Sequence, residues 1–575
     1  MLPTERGLPA TESLSRLSKR TNPFSKLVTR WVILALLALA LLWYSKPWLE
    51  LAAHGGLPLS FLYGPHDFYR FARPPPPESQ AIWEPRKEEV RKAFEHAWDG
   101  YMTNAFPGDE LLSLSGGKSN KYNGWSVTLF DSLDTMWIMG LREDFEEAME
   151  NIKDLHFKAT KPDHYAPFFE TTIRYLGGLL SAYALSGEET LLRLADEMGQ
   201  ILIPAFDGTE SGLPAYSVNV ETGKILSDQN KNTVLFAEAA SCQLEFKYLA
   251  KLTGKKEYYE RVQGAMNVFY KANVSEGLFN DNWLMKDGKP TGSHLTIGAT
   301  ADSGYEYLLK QWLLSSDVQA RDQYIKSVDG IINNLIYVTP KRGLMYVGDL
   351  QHNVMVHRLE HLSCYLPGVL ALGAATLDLT PDVRELHEMA AHGLAYTCAI
   401  SYADQLTGLG PDQMAMAQGT KWIDELRLWN ETGRVGDAPG LTEQPVERDP
   451  SRRDYLHGWP SAYLLRPETI ESIFYMWKTT GDVKWRERGY EIFKAIKKHT
   501  WTKFGFTSVH GVDTTSVTYV DDMPSWFLAE TLKYLYLLFD DTNTIDLRDW
   551  VFNTEAHPLP MFSWTEEEKR AFNIS

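Results

Sequence analysis

From Glu84 onward the apolar positions recur at helical spacing, and the helices they predict come in pairs. Glu88 to Ala105 reads as a charged amphipathic helix. Thereafter a helix ends in a short polar connector and a second, amphipathic helix follows, repeatedly. The connectors are Met139-Gly140-Leu141-Arg142, Leu185-Ser186-Gly187-Glu188, Leu252-Thr253-Gly254-Lys255, Leu314-Ser315-Ser316-Asp317, Leu379-Thr380-Pro381-Asp382, Thr480-Gly481-Asp482 and Phe539-Asp540-Asp541-Thr542. That makes seven, most of them roughly 50 to 65 residues apart, a period typical of helix-pair repeats. The longest gap holds a Gly/Pro-rich insertion, about Asp404 to Tyr463, which reads as loops on one face. The first helix of each pair is the more apolar, as at Leu308, Leu309, Trp312 and Leu313. The second is charged on one side, as at Arg193, Asp196 and Glu197. Inner helices buried all round and outer helices half wet are the pattern of concentric helical toroids. The expected fold is all-α, an (α/α)7 barrel.

The acids add a second regularity. Nearly every inner helix opens on one: Asp131 and Asp134, Glu170, Glu238, Asp302, Glu360, Glu468 and Glu530. Helix N-termini favour acids in general, which accounts for two or three of them. If all inner helices point the same way, their first turns surround one end of the axis, and the carboxylates face a single pit. Arg466-Pro467-Glu468-Thr469-Ile470-Glu471 is the clearest case. Proline is tolerated at a first helical position, and Glu468 and Glu471, three apart, share a face.

Ahead of the barrel the pattern changes. Trp31 to Tyr44 is unbroken and apolar, preceded by Arg16, Lys19, Arg20, Lys26 and Arg30. Its length also fits a signal-peptide core. The long basic lead, Trp43 and Tyr44 at an interfacial position, and Lys46 placed to snorkel favour an uncleaved anchor. The expected division is a cytosolic tail over 1–30, a transmembrane signal-anchor over 31–45, a lumenal stem over 46–83 with the Pro74–Pro77 tract extended, and a catalytic domain over 84–575. Sequons at Asn273, Asn430 and Asn573 are compatible with a lumenal, single-pass type II protein. A monomer is expected.

Composition narrows the chemistry. The net charge of −18 argues against nucleic acid as partner. The 18 Trp and 28 Tyr supply flat faces that suit sugar rings, and serve helix packing equally well. Cys242, Cys364 and Cys398 form no CxxC pair, and no Cys/His cluster has zinc spacing. One disulfide with one free thiol fits an oxidising compartment. A ring of carboxylates suits a hard cation such as calcium, acid/base chemistry, or a hydroxyl-rich ligand. Hydrolysis of a glycosidic bond needs one carboxyl group kept protonated and another ionised.

Seven segments resemble the motifs of one family, the class I α-1,2-mannosidases of glycoside hydrolase family 47. They are Asp131-Ser132-Leu133-Asp134-Thr135-Met136-Trp137, Phe169-Glu170-Thr171-Thr172-Ile173-Arg174-Tyr175-Leu176, Ala301-Asp302-Ser303-Gly304-Tyr305-Glu306, Glu360-His361-Leu362-Ser363-Cys364-Tyr365, Arg466-Pro467-Glu468-Thr469-Ile470-Glu471-Ser472, Phe527-Leu528-Ala529-Glu530-Thr531 and Asn553-Thr554-Glu555-Ala556-His557-Pro558. They occur in the family's order between about Glu84 and Pro560, and the family fold is also an (α/α)7 barrel.

The resemblance implies roles. Glu170 stands as the proton donor, Asp302 as a second essential acid and Glu468 as the base that activates water. The family inverts configuration, which needs carboxyl groups about 6.5–9.5 Å apart to admit that water. Thr554 stands where a carbonyl and a hydroxyl bind Ca²⁺, with Glu360, Glu471, Glu530 and Glu555 holding its waters. Arg174, His361 and Arg466 stand among the pocket-lining residues, and Glu238 is placed with the substrate-binding group. Cys364 and Cys398 match the family disulfide. Departures occur at Asp412, where the family usually has Glu, and at Trp526, where a Phe usually forms the stacking floor. Thr300 stands where one branch has Arg and the other Leu. The implied activity is trimming of high-mannose N-glycans in the endoplasmic reticulum or Golgi. A mannose-binding quality-control relative with little turnover is the alternative, against which Glu170, Asp302, Glu468 and Thr554 together argue. A terpenoid-cyclase toroid would need Asp-rich or zinc motifs that are not found and usually has six repeats.

Overall fold

The computed structural model describes residues 69–227, 232–272, 274–457 and 461–574. The apolar run over 31–44, its basic lead, most of the stem and Asn273 lie outside these residues. Among the described residues no helix is long and apolar enough to cross a membrane.

Seven inner helices form a closed ring: Val127–Met139, Gly177–Ser186, Gln243–Thr253, Asp302–Ser315, Leu366–Thr376, Glu468–Thr480 and Leu532–Phe539. Their composition explains their place. Every residue of Leu366–Thr376 is buried, so it has no wet face. The outer helices are Arg142–Ile152, Glu189–Leu202, Lys256–Lys271, Val318–Asn334, Pro381–Ala403 and Val483–Thr500. Glu189–Leu202 buries Leu191, Leu194, Ala195, Met198, Gly199 and Leu202 and leaves Glu189, Arg193 and Gln200 exposed, the stripe expected of a half-wet helix. All seven connectors fall between helices, or at the end of the last one, where the sequence placed them. Four inner helices end on a left-handed glycine: Gly140, Gly187, Gly254 and Gly481.

The seventh pair departs from the expected repeat. After Phe539 the chain does not continue into an outer helix. The vacant position against Leu532–Phe539 is taken by the first helix, Gln80–Asn104. That helix begins eight residues before Glu88, so the expected boundary at residue 84 falls inside it. The segment before it already lies on the barrel: Arg70 N–H donates to Ala375 O and Ala72 N–H to Lys478 O, both at 2.9 Å. These acceptors sit at the C-terminal ends of inner helices, at the base of the ring.

Strands correct the all-α expectation. The described residues include eight small antiparallel sheets of two or three short strands. The insertion over 404–463 is not all loop. Gln413–Met416 pairs with Arg358–Glu360 and Tyr455–His457, and Trp422–Glu431 is a helix. Strands this short carry too little alternation to read from sequence.

One hairpin runs up the axis. Trp550–Phe552 pairs with Pro558–Pro560. Just beyond it, Phe562 N–H donates to Leu314 O (2.8 Å) near the base. Its tip, 553–557, lies between the upper turns of the inner helices. Asn553 Nδ2 donates to Ile173 O (3.0 Å) and Glu245 Oε1 (2.8 Å), and Lys533 Nζ donates to Ala556 O (2.6 Å). This close approach requires Gly177: a Cβ there would meet Asn553 Nδ2 at 2.5 Å. The neighbouring turn, Thr171–Leu176, is π-helical, as is Phe527–Thr531. Such wide turns are rare and concentrate at functional sites.

Candidate active site

The hairpin tip closes the floor of a pit of about 420 Å³ at the N-terminal ends of the inner helices. Glu170, Arg174, Glu238, Asp302, Arg466, Glu468, Glu471, Trp526, Glu530, Thr554 and Glu555, all singled out by sequence, line it. Glu306 lines it too; it lies one turn past the start of the Asp302–Ser315 helix, outside the first-turn pattern. Its spacing was the available signal: Asp302, Glu306 and Lys310 lie four apart on one helix face. Thr300 is also in the wall, with a left-handed φ of 83°, unusual for a β-branched residue. Its carbonyl accepts from Ala237 N–H (3.0 Å), which ties the Asp302 loop to the Glu238 turn.

Three expected site residues stand behind the wall. His361 is buried, with Nδ1 2.7 Å from Glu468 Oε2 and Nε2 2.6 Å from Tyr402 Oη. A carboxylate can only accept, so Nδ1 carries the proton, and the Tyr402 hydroxyl donates to Nε2 when the ring is neutral. Asp412 pairs with Arg466 Nε at 2.7 Å and so positions a wall residue rather than facing the pit. Glu360 ends a strand instead of opening a helix. Its Oε2 accepts from Ala299 N–H (3.0 Å) and its Oε1 lies 3.2 Å from Arg358, bracing the loop that leads to Asp302. Asp131 and Asp134, counted in the acid ring, are buried below the floor. His557 joins both, at 3.3 and 2.8 Å, and Lys533 joins Asp134 at 2.9 Å.

The helix of Glu468 starts as expected within one residue. Pro467 stands just before the first helical position, and its carbonyl accepts from Glu471 N–H (2.8 Å). Leu465 before it has a φ of 58°, held by Thr531 Oγ1 donating to Leu465 O (2.7 Å) and Trp526 Nε1 to Leu464 O (3.0 Å). Trp526 stands between guanidiniums, with Arg174 5.5 Å and Arg466 5.6 Å from its ring centre. Cys364 and Cys398 are bridged, and Cys242 is buried and free. The bridge ties the turn after His361 to the Pro381–Ala403 helix, and Cys364 O accepts from Ser472 Oγ on the Glu468 helix.

The electrostatics of the pit are one-sided. Eight carboxylates line it, Glu170, Glu238, Asp302, Glu306, Glu468, Glu471, Glu530 and Glu555, against Arg174 and Arg466. Arg174 pairs with Glu170 (2.8 Å) and with Glu555. Lys310, behind the wall, pairs with Glu306 and lies 3.8 Å from Glu471. Four of these acids, Asp302, Glu471, Glu530 and Glu555, are pushed towards protonation. Burial, then Glu306, Glu468 and Glu360, raise Asp302 to about 7. Burial raises Glu471 and Glu555 to about 8, against the pull of Lys310 and Arg174 respectively. Burial, Glu555 and other acids hold Glu530 well above its usual range. Glu468 is the exception. Burial opposes its charge, but His361 and Arg466 outweigh it and keep the carboxyl below its usual value.

Such crowding fits a hard cation, whose charge would relieve it. The donors on offer are oxygens. The tip uses the Thr554 N–H, which donates to Tyr307 Oη (3.3 Å). Among the described residues no hydrogen bond takes up the Thr554 hydroxyl or carbonyl. Nor do three or more His, Cys, Asp or Glu side chains converge closely enough to hold an ion directly. A cation here would take Thr554 oxygens and water, with the acids one layer out.

Comparison with known proteins agrees with this geometry. The glycosyl hydrolase family 47 model matches residues 93–561. The human mannosyl-oligosaccharide 1,2-alpha-mannosidase IC is 34% identical over 490 residues, covering 84% of this chain and 72% of that protein. The human endoplasmic reticulum mannosyl-oligosaccharide 1,2-alpha-mannosidase is 38% identical over 508 residues, 86% of this chain and 67% of that one. The structure of an alpha-1,2-mannosidase from Trichoderma reesei matches with a TM-score of 0.73 at 26% identity, over 83% of this chain and 99% of its own. With the motifs in order on a ring of seven inner helices and their acids gathered in one pit, the chain belongs to glycosyl hydrolase family 47.

Proposed function

We propose that this chain hydrolyses terminal α-1,2-linked mannose from high-mannose N-glycans on glycoproteins, with inversion, in the lumen of the endoplasmic reticulum or Golgi. One observation carries the reading: Glu170, Asp302 and Glu468, from three different inner helices, share one pit with Thr554 at the hairpin tip. The names of the relatives support the substrate, and the apolar run over 31–44 behind its basic lead supports a type II anchor.

Glu170, its side chain 36% exposed and held by Arg174, gives its proton to the departing glycosidic oxygen. Glu468, ionised, takes a proton from the attacking water. Its orientation is set by His361, which Tyr402 holds in turn. Asp302, with a proton near neutral pH, returns one through water to Glu170 after Glu170 has given up its own. Trp526 offers a flat face to a sugar ring, and Arg466 and Glu238 offer a donor and an acceptor to its hydroxyls. Asp412 acts through Arg466. Thr554 would bind Ca²⁺ with its hydroxyl and carbonyl, and Glu471, Glu530 and Glu555 would order the ion's waters. When bound, calcium supplies a hard positive charge that gathers sugar hydroxyls. Glu360 serves the same centre only by bracing the Gly298–Ala299 loop.

Incubating a high-mannose N-glycan with the protein and profiling the products, with and without EDTA, tests the proposal. Released mannose that EDTA abolishes and Ca²⁺ restores is the expected result. No release under either condition would sink the enzyme reading, and release indifferent to EDTA the calcium role.

A further inference from the structure

Asn430, Glu431 and Thr432 form a sequon at the end of the Trp422–Glu431 helix. Asn430 is exposed, and the turn after it fixes its side chain. Arg434 N–H donates to Trp429 O (2.9 Å) and Arg434 Nε to Asn430 Oδ1 (2.7 Å). The same guanidinium pairs with Glu385 on the Pro381–Ala403 helix (2.8 Å) and lies 5.2 Å from the Trp429 ring centre. The amide oxygen is thus engaged. Among the described residues, Asn430 Nδ2 makes no hydrogen bond.

We propose that Asn430 carries an N-linked glycan. The proposal rests on the lumenal placement above, since that is where the oligosaccharyl donor and its transferase are. In the transfer, Nδ2 bonds to the anomeric carbon of a lipid-linked oligosaccharide. The bond from that carbon to the lipid pyrophosphate oxygen breaks, the pyrophosphate leaves with the electron pair, and the amide proton passes to a base of the transferase. The folded chain accommodates the product without rearrangement, because Nδ2 has no partner to lose and Oδ1 keeps Arg434.

Peptide mapping of the full chain made through a eukaryotic secretory pathway tests this. Deglycosylation by a peptide N-glycosidase in heavy-oxygen water should convert Asn430 to labelled Asp in most molecules. Thr432→Ala should abolish the label and Thr432→Ser should keep it. An unlabelled Asn430 beside a labelled Asn273 or Asn573 overturns this site and leaves the lumenal reading standing. A mannosidase-active chain with no labelled sequon overturns both. Asn430→Gln should abolish the label and leave turnover unchanged.

Discussion

Asp302 and Glu468 begin two inner helices of the same ring and face the same pit, yet their surroundings drive them apart. Asp302 receives its own Ser303 N–H (2.9 Å) and otherwise meets burial and other acids. Glu468 meets His361 at 2.7 Å and the charge of Arg466. One carboxyl holds its proton to about 7 and the other gives it up below the ordinary range. Position on a helix gives both the same dipole; their side-chain partners differ. A pair of carboxyls separated in this way is what acid and base roles at one pH require.

The largest test of this difference is Glu468→Gln, which keeps the shape and removes the proposed base. Turnover should fall by about 10³-fold or more while a mannose-containing ligand still binds. Wild-type rates would show that the base is elsewhere. Glu170→Gln should cost about as much for substrates with a poor leaving group, and far less for an aryl mannoside that needs no proton. Calcium removal comes next. Glu471 and Glu555 at about 8 hold protons that their unfolded counterparts lose near 4.5. The folded state therefore binds more protons between those values, and the metal-free protein loses stability as pH rises across that window. The gap in Tm between Ca²⁺-loaded and EDTA-treated protein should widen from pH 5 to pH 8, as scanning calorimetry reads it.

The pH profile compares the two acids directly. Activity should fall as pH rises through about 7, where Asp302 loses its proton, and as pH falls below the ordinary carboxylate range, where Glu468 gains one. A profile with both limbs near one pH would erase the contrast. Tyr402→Phe makes the smallest change. It removes one hydrogen bond to His361, about 1 kcal/mol, so kcat should drop several-fold with little change in KM. The acid limb should move upward, because Glu468 is then less firmly held. A loss confined to stability would leave Tyr402 a packing residue only.

Much of this site is legible in the chain. First-turn acids with helical spacing found Glu170, Glu238, Asp302, Glu468, Glu471 and Glu530, because a shared helix direction brings first turns to one end. The same rule failed at Asp131 and Asp134, which lie past the first turn of the Val127–Met139 helix and meet His557 and Lys533 under the floor. It failed at Glu360, which lies on a strand, and passed over Glu306, one turn further along. Tyr402, which acts from behind through His361, belongs to an outer helix and carries no local signal. The seventh pair was counted correctly, but its outer member came from the opposite end of the chain, which periodicity cannot reveal.

The sequence by itself determined that helices alternate between fully apolar and half-wet, that seven connectors separate them, and that acids open the inner ones. Those are local properties, set by side-chain spacing and by which groups tolerate burial. Only the tertiary structure decided which acids face the pit and which keep their protons. Proton affinity depends on partners brought from distant segments: His361 for Glu468, Arg174 for Glu555, Lys310 for Glu471. The hairpin tip at 553–557 is the plainest instance. Nothing in its own sequence requires it to stand on the barrel axis. It stands there because Ile173, Glu245, Tyr307 and Lys533, from four inner segments, satisfy its polar groups at once.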